Sequence, residues 1–185
     1  MIAILADETC EEIGRKAEHW LREKGKETAF ISTAGLQIGT CYSCGYCSTK
    51  EYGKCFQKDD METILRILVK SETMIVVSPV IFGSYSSGIK MVLDRICVIC
   101  DSHYYVVKGE MVKGMRSDLE HFEVIGVKKD CREREWEYFQ SLVLENIKIM
   151  NRKGHAFLLK KNDEIGINTE TDMEIEKIME AISHE

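Results

Sequence analysis

The sequence predicts an α/β fold, a three-layer arrangement in which a doubly wound, five-stranded parallel sheet is covered by helices on both faces. Three observations lead there. Short, wholly apolar runs alternate along the chain with stretches of helical periodicity. Those runs lack the in-out alternation of a half-exposed sheet, so they read as strands buried on both sides. At 185 residues, with 44% hydrophobic and 30% charged residues, the chain has the size and make-up of one ordinary core. With one proline and no linker-like tract to divide it, a single domain over residues 1–185 is expected.

The elements follow in order. Ile2–Ala6 is the first strand. A helix runs from Glu11 to about Lys24, with Ile13, Ala17, Trp20 and Leu21 at helical spacing and Gly25 as its stop. Thr28–Ser32 is the second strand, and a cysteine-rich loop occupies about 33–58. Asp59 or Asp60 supplies an N-cap for a helix carrying Ile64, Leu65, Ile67 and Leu68. Met74–Ser78 is the third strand, ended by Pro79, and a helix from about Ser86 to Ile99 follows. Residues 101–119 read as irregular. Phe122–Val127 is the fourth strand, Arg132–Asn151 a long amphipathic helix, Ala156–Leu159 the fifth strand and Thr171–Ile182 the closing helix. For five strands in this alternation the expected order is 2-1-3-4-5, with ligands bound outside the carboxyl ends of the strands where the order reverses.

The formal charge of −6 and the scatter of basic residues argue against nucleic acid and against an anionic membrane surface. No run approaches the roughly 20 apolar residues of a membrane span, and the N-terminal residues lack the pattern of a secretory signal. A cytoplasmic protein is expected. Eight cysteines in such a chain point to metal or redox chemistry rather than to disulfides.

Four of the cysteines form a compact run. Cys41, Cys44 and Cys47 are separated by two residues each, and Cys55 follows after seven more. Two-residue gaps let three thiolates converge from one turn, and a fourth can close the site. Gly39, Gly45 and Gly53 allow tight folding around it. The ligand chemistry suits an iron–sulfur cluster, and it equally suits a closed zinc site. A loop that binds nothing is the third possibility. Cys97 and Cys100, inside an apolar helix, read as structural thiols. Cys10 and Cys131 each precede a helix, where a thiolate is favoured. The histidines are scattered and have no ligand spacing, and Tyr104 and Tyr105 fall in the irregular stretch.

These residues carry a resemblance. The run Cys41-Tyr-Ser-Cys44-Gly-Tyr-Cys47, then Gly53-Lys-Cys55, Asp59-Asp60-Met61, Ser78-Pro79-Val80-Ile81-Phe82-Gly83, Lys90 and Asp94-Arg95 together resemble the NADPH-dependent FMN reductase family. The four-cysteine spacing is similar to that of its iron–sulfur flavoproteins. The resemblance implies a flavodoxin-like fold, FMN in the rim crevice and NAD(P)H or another small-molecule or protein donor or acceptor as redox partner. It also implies assembly as a homodimer or homotetramer. By motif, Cys41, Cys44, Cys47 and Cys55 would ligate a [4Fe–4S] cluster. Pro79, Val80, Ile81, Phe82 and Gly83 would run beside the isoalloxazine ring, with Lys90, Asp94 and Arg95 serving helix packing and charge pairing. One segment departs from the resemblance. Where the family has a small-polar phosphate loop, this chain has Asp7-Glu8-Thr9-Cys10-Glu11-Glu12, with four carboxylates and Thr9 as its one hydroxyl. Thr9 is therefore the expected phosphate-side contact. The alternative to a flavin-containing oxidoreductase or electron carrier is a flavin-less relative that uses the cysteine loop as a cluster- or zinc-binding interaction module.

Overall fold

The computed structural model describes residues 1–128, 132–160 and 169–183. Strands β1 (Ile2–Ala6), β2 (Thr28–Ser32), β3 (Thr73–Pro79), β6 (His121–Lys128) and β7 (Ala156–Lys160) form one sheet in the order β2-β1-β3-β6-β7. Every pairing is parallel, and register is continuous across the middle: Ile4 stands opposite both Phe30 and Ile75, and Val76 opposite Val124. This is the doubly wound flavodoxin-like order that the sequence predicts, with the switch point between β1 and β3.

Period-two alternation sends successive strand residues to opposite faces and creates two separate cores. Ala3, Leu5, Met74, Val76, Phe122 and Val124 pack against α3 (Met61–Val69), α4 (Ser87–Arg95) and α5 (Glu133–Met150). On the other face Ile4, Ala6, Ile75, Val77, Ile125 and Val127 meet α1 (Glu11–Glu23) and α6 (Thr169–Ser183). Close approach fixes Gly126 on β6: a Cβ there would lie 2.6 Å from the Phe139 ring.

Three local features differ from expectation. The helix expected over Ser86–Ile99 is α-helical only to Arg95, and Ile96–Ile99 tightens into a 3-10 turn. Residues 101–119 contain an antiparallel hairpin of β4 (Tyr105–Val107) and β5 (Glu110–Val112), closed by Lys108 and Gly109 at φ +50° and +83°. Strands of three residues are too short to show a pattern, whereas the two positive-φ residues are what a two-residue hairpin turn requires. The cysteine loop contains a single helical turn, α2 (Tyr46–Thr49), which packs against the 96–99 turn. Among the described residues no helix is long and apolar enough to cross a membrane.

Candidate functional site

The turn after β1 opens on the switch-point crevice, where an anion-binding loop would sit. Its backbone donors are all engaged. The Asp7 amide donates to Val77 O at 2.9 Å, Glu8 to the Thr33 hydroxyl at 2.9 Å, Thr9 to the Asp7 carboxylate at 2.9 Å and Cys10 to Asp7 O at 2.9 Å. Asp7 is 5% exposed and caps the 3-10 turn Glu8–Cys10. The Thr9 hydroxyl, expected to face a phosphate, donates to the same Asp7 carboxylate at 2.6 Å. Neighbouring cations are also taken: Arg15 by Glu11 and Glu18, Lys16 by Asp172, and Lys128 by Glu135. A phosphate-binding helix start needs N–H groups left open and no competing negative charge. The amides of Asp7 to Cys10 are closed and the turn carries competing carboxylates, so the phosphate half of an FMN is poorly served by this turn as it stands.

The wall formed by β3 and α4 is different. Ile81 and Ser84 exchange backbone hydrogen bonds of 2.9 Å, closing a tight turn with Phe82 at φ +50° and Gly83 at φ +76°. Phe82 is 92% and Ile81 44% exposed, while Val80 is buried and its amide is held by Val127 O. A non-glycine residue in the left-handed region, carrying an exposed aromatic side chain, is a strained arrangement of the kind kept at ligand sites. Gly83 admits α5 at close range: a Cβ there would lie 2.9 Å from Tyr138 Cβ. Exposed Tyr138 therefore stands beside Gly83, and sequence reasoning had not selected it. This apolar wall fits the planar ring of a flavin. Lys129, Asp130 and Cys131, on the next loop, lie outside the described residues.

The cysteine loop is the second site. Ser43, Gly45 and Gly53 all have positive φ (50°, 68° and 75°), which gives the chain its sharp reversals around Cys41, Cys44, Cys47 and Cys55. Tyr42 and Tyr46 gather on Phe56, with ring centroids 6.0 and 6.1 Å away. Cys41, Cys47 and Cys55 are half-buried and Cys44 is exposed. The loop does not stay with the strand-end rim. It turns back over the 96–99 turn, so Cys97 shares a hydrogen bond with Cys41 and neighbours Cys47; burial first, then those thiols, push the Cys97 thiol up to about 12. Cys97 and Cys100, read from sequence as helix-interior thiols pointing away, thus adjoin the loop cysteines.

A buried ion pair pins this loop. Arg95 is 1% exposed; its guanidinium donates to the Asp59 carboxylate and to Gly39 O at 3.2 Å, and it lies near the Cys55 thiol. The oxygen of Asp59 that meets Arg95 also takes the amide of Gly39 at 3.0 Å, and its other oxygen takes that of Met61 at 3.2 Å. Burial tends to raise the Asp59 pKa, but the Arg95 hydrogen bond, the Gly39 amide and the Arg95 charge outweigh it and hold the carboxyl below its ordinary range. Arg95 keeps its Nε buried without a hydrogen-bond acceptor. A cavity of about 390 Å³ opens beside Arg95 and Cys55, floored by Leu65, Val69, Val98 and Ile99. The Asp-Arg pair that sequence reasoning assigned to helix packing splits in two: Asp94 pairs with Lys90 on the helix surface, whereas Arg95 serves the cysteine loop.

Among the described residues no three His, Cys, Asp or Glu side chains stand at the spacing of a single metal ion. Zn–S bonds of about 2.3 Å in a tetrahedron would bring four sulfurs within roughly 4 Å of one another. A cubane cluster spaces its ligand sulfurs more widely, and as an anionic centre it takes N–H donors readily. Four loop thiols with an unpaired, buried guanidinium N–H beside one of them fit the chemistry of such a group.

The comparisons with known proteins agree with this fold. A model of the NADPH-dependent FMN reductase family matches residues 6–113. An iron-sulfur flavoprotein of Methanocaldococcus jannaschii is 41% identical over 81 residues, which is 44% of this chain and 41% of that protein. One from Archaeoglobus fulgidus is 32% identical over 91 residues, 49% of this chain and 46% of its own length. The chain thus spans under half the length of these curated relatives. An NAD(P)H:quinone oxidoreductase from Methanothermobacter marburgensis superimposes with a TM-score of 0.68 at 12% identity, over 97% of this chain and 94% of that one, which shows a shared fold. With 6–113 covering more than half of its residues, the chain belongs to the NADPH-dependent FMN reductase family.

Proposed function

We propose that the chain is a redox protein, an NAD(P)H-dependent flavin oxidoreductase or electron carrier, in which Cys41, Cys44, Cys47 and Cys55 hold a [4Fe–4S] cluster. The observation that carries this reading is the buried Arg95, paired with Asp59 and close to Cys55, with its Nε still unpaired. The names of the curated relatives support it. When bound, the cluster would supply one-electron transfer and the flavin, FMN in the family, hydride acceptance; the protein supplies position and potential.

The residues divide that work. Asp59 and Arg95 fix the loop against the 96–99 turn, and a buried guanidinium beside Cys55 favours a negatively charged sulfur centre. Pro79 to Gly83, with Ile81 and Phe82 outermost, offers the ring an apolar wall. Lys58 and Lys70, beside the pairs Lys54–Glu51 and Arg66–Glu62, rim the cavity next to Cys55, a mixed polar edge that suits a small-molecule or protein partner. Exposed Tyr104, Val106 and Met111 on the β4–β5 hairpin form an apolar patch that supports pairing of copies into a homodimer or homotetramer. A single cytoplasmic domain completes the reading.

Protein purified without air tests it. The reading requires iron and acid-labile sulfide in equal amounts, a broad visible shoulder that bleaches on reduction, and loss of both when Cys41 or Cys55 is replaced by Ser. Stoichiometric zinc without iron, or a colourless protein that takes up neither iron nor flavin on reconstitution, would overturn it.

A further inference from the structure

Resting on the flavin reading above, we infer that the crevice selects a flavin whose ribityl chain ends in a neutral hydroxyl, riboflavin, over one that ends in a phosphate. The geometry of the turn after β1 carries this. All four of its amides, from Asp7 to Cys10, already donate to acceptors within the protein, and the Thr9 hydroxyl donates to Asp7. No donor on this turn is left for phosphate oxygens, and opening the turn would break hydrogen bonds that include those of a buried carboxylate.

What the turn presents instead is acceptors. Glu8 and Glu12 are exposed. Glu11 is held by Ser32 and Arg15, and the recorded partners of Lys16 and Lys128 are likewise carboxylates. A phosphate monoester carries about −1.5 to −2 charges at pH 7 and would meet the like charges of these carboxylates. A terminal alcohol is the reverse case: its O–H donates to a carboxylate in a charge-assisted hydrogen bond. The ring half is served equally in both flavins by the wall of Ile81 and Phe82, so the discrimination falls on the chain end alone.

Quenching of flavin fluorescence tests this on protein stripped of bound flavin and titrated in parallel with riboflavin and FMN in low salt. The expected result is that riboflavin binds at least about tenfold more tightly, a difference of ~1.4 kcal/mol. That ratio should shrink in 1 M salt, where the screening length falls to about 3 Å. It should shrink again in the double variant Glu8→Gln, Glu12→Gln, whose two sites are exposed. Equal or tighter binding of FMN overturns the inference and leaves the flavin reading standing; so does a ratio indifferent to both salt and the variant. If neither flavin quenches, the inference and the flavin reading fall together, while the cluster remains to be judged by iron and sulfide.

Discussion

The turn after β1 and the cysteine loop after β2 leave neighbouring strands, yet they treat their polar groups in opposite ways. The first is short and closed on itself: a buried carboxylate, Asp7, collects the donors of its own turn. The second is long and held from outside, by Arg95 at the end of α4, and it leaves a buried N–H of that arginine unpaired beside Cys55. In a native protein an orphaned buried donor asks for an explanation, whereas a satisfied turn does not. The contrast leaves an unpaired buried donor on the side of the cysteine loop and none among the amides of Asp7 to Cys10, on the turn where the fold ordinarily binds phosphate.

The comparison can be broken or sharpened by substitution. The largest effect is expected from Asp59→Asn, which leaves Arg95 charged, buried and unpaired. Removing one partner of a buried ion pair costs about 3–5 kcal/mol, so the urea midpoint should fall steeply. Unchanged stability would show that the pair does not pin the loop. Gly83→Ala comes next. It forces a side chain into φ +76° and against Tyr138 and the Glu135 carbonyl, costing about 1–3 kcal/mol. Ring binding should weaken with it in the flavin titration, while cluster content should not change. Thr9→Val removes the hydroxyl bond to Asp7, worth about 1 kcal/mol, together with a longer contact to the Cys10 sulfur. Thermal stability should drop modestly and FMN affinity should stay where it was. A large selective loss of FMN affinity would mean that Thr9 serves the phosphate after all.

The smallest effect is in pH. With its folded pKa held below the ordinary value, Asp59 contributes stability that is complete above the unfolded pKa of about 3.9 and is lost as pH falls through the lower folded value. The stability gap between wild type and Asp59→Asn should therefore be flat from pH 7 down to about 5 and close only under strongly acidic conditions. A gap that closes near pH 6 would assign the effect to another group.

Much of the fold was legible because the three inner strands are largely apolar runs buried on both faces, a pattern that needs no tertiary information. The four loop cysteines were legible by spacing. The role of Arg95 was not, because Asp59 and Arg95 are 36 residues apart and meet only when α3 and α4 pack on one face of the sheet. Cys97 was misplaced for a related reason: helical periodicity continues past Arg95, whereas the chain itself tightens into a 3-10 turn that sets Cys97 beside Cys41. Glu123 shows the same limit. It lies at the heart of an apolar strand pattern, yet it is buried and paired with half-buried His121 and exposed His155, two histidines unrelated in sequence.

Sequence alone determined the class of fold, the strand order that follows from it, the set of loop thiols and the acidic character of Asp7–Glu12. These are properties of local composition and periodicity, fixed before any two distant residues meet. Only the tertiary structure decided that the donors of Asp7 to Cys10 are already bound, that Arg95 belongs to the cysteine loop, and that Tyr138 stands beside Gly83. Each of those depends on which hydrogen-bond partners and close approaches packing brings together, and a linear pattern of residue types does not contain that information.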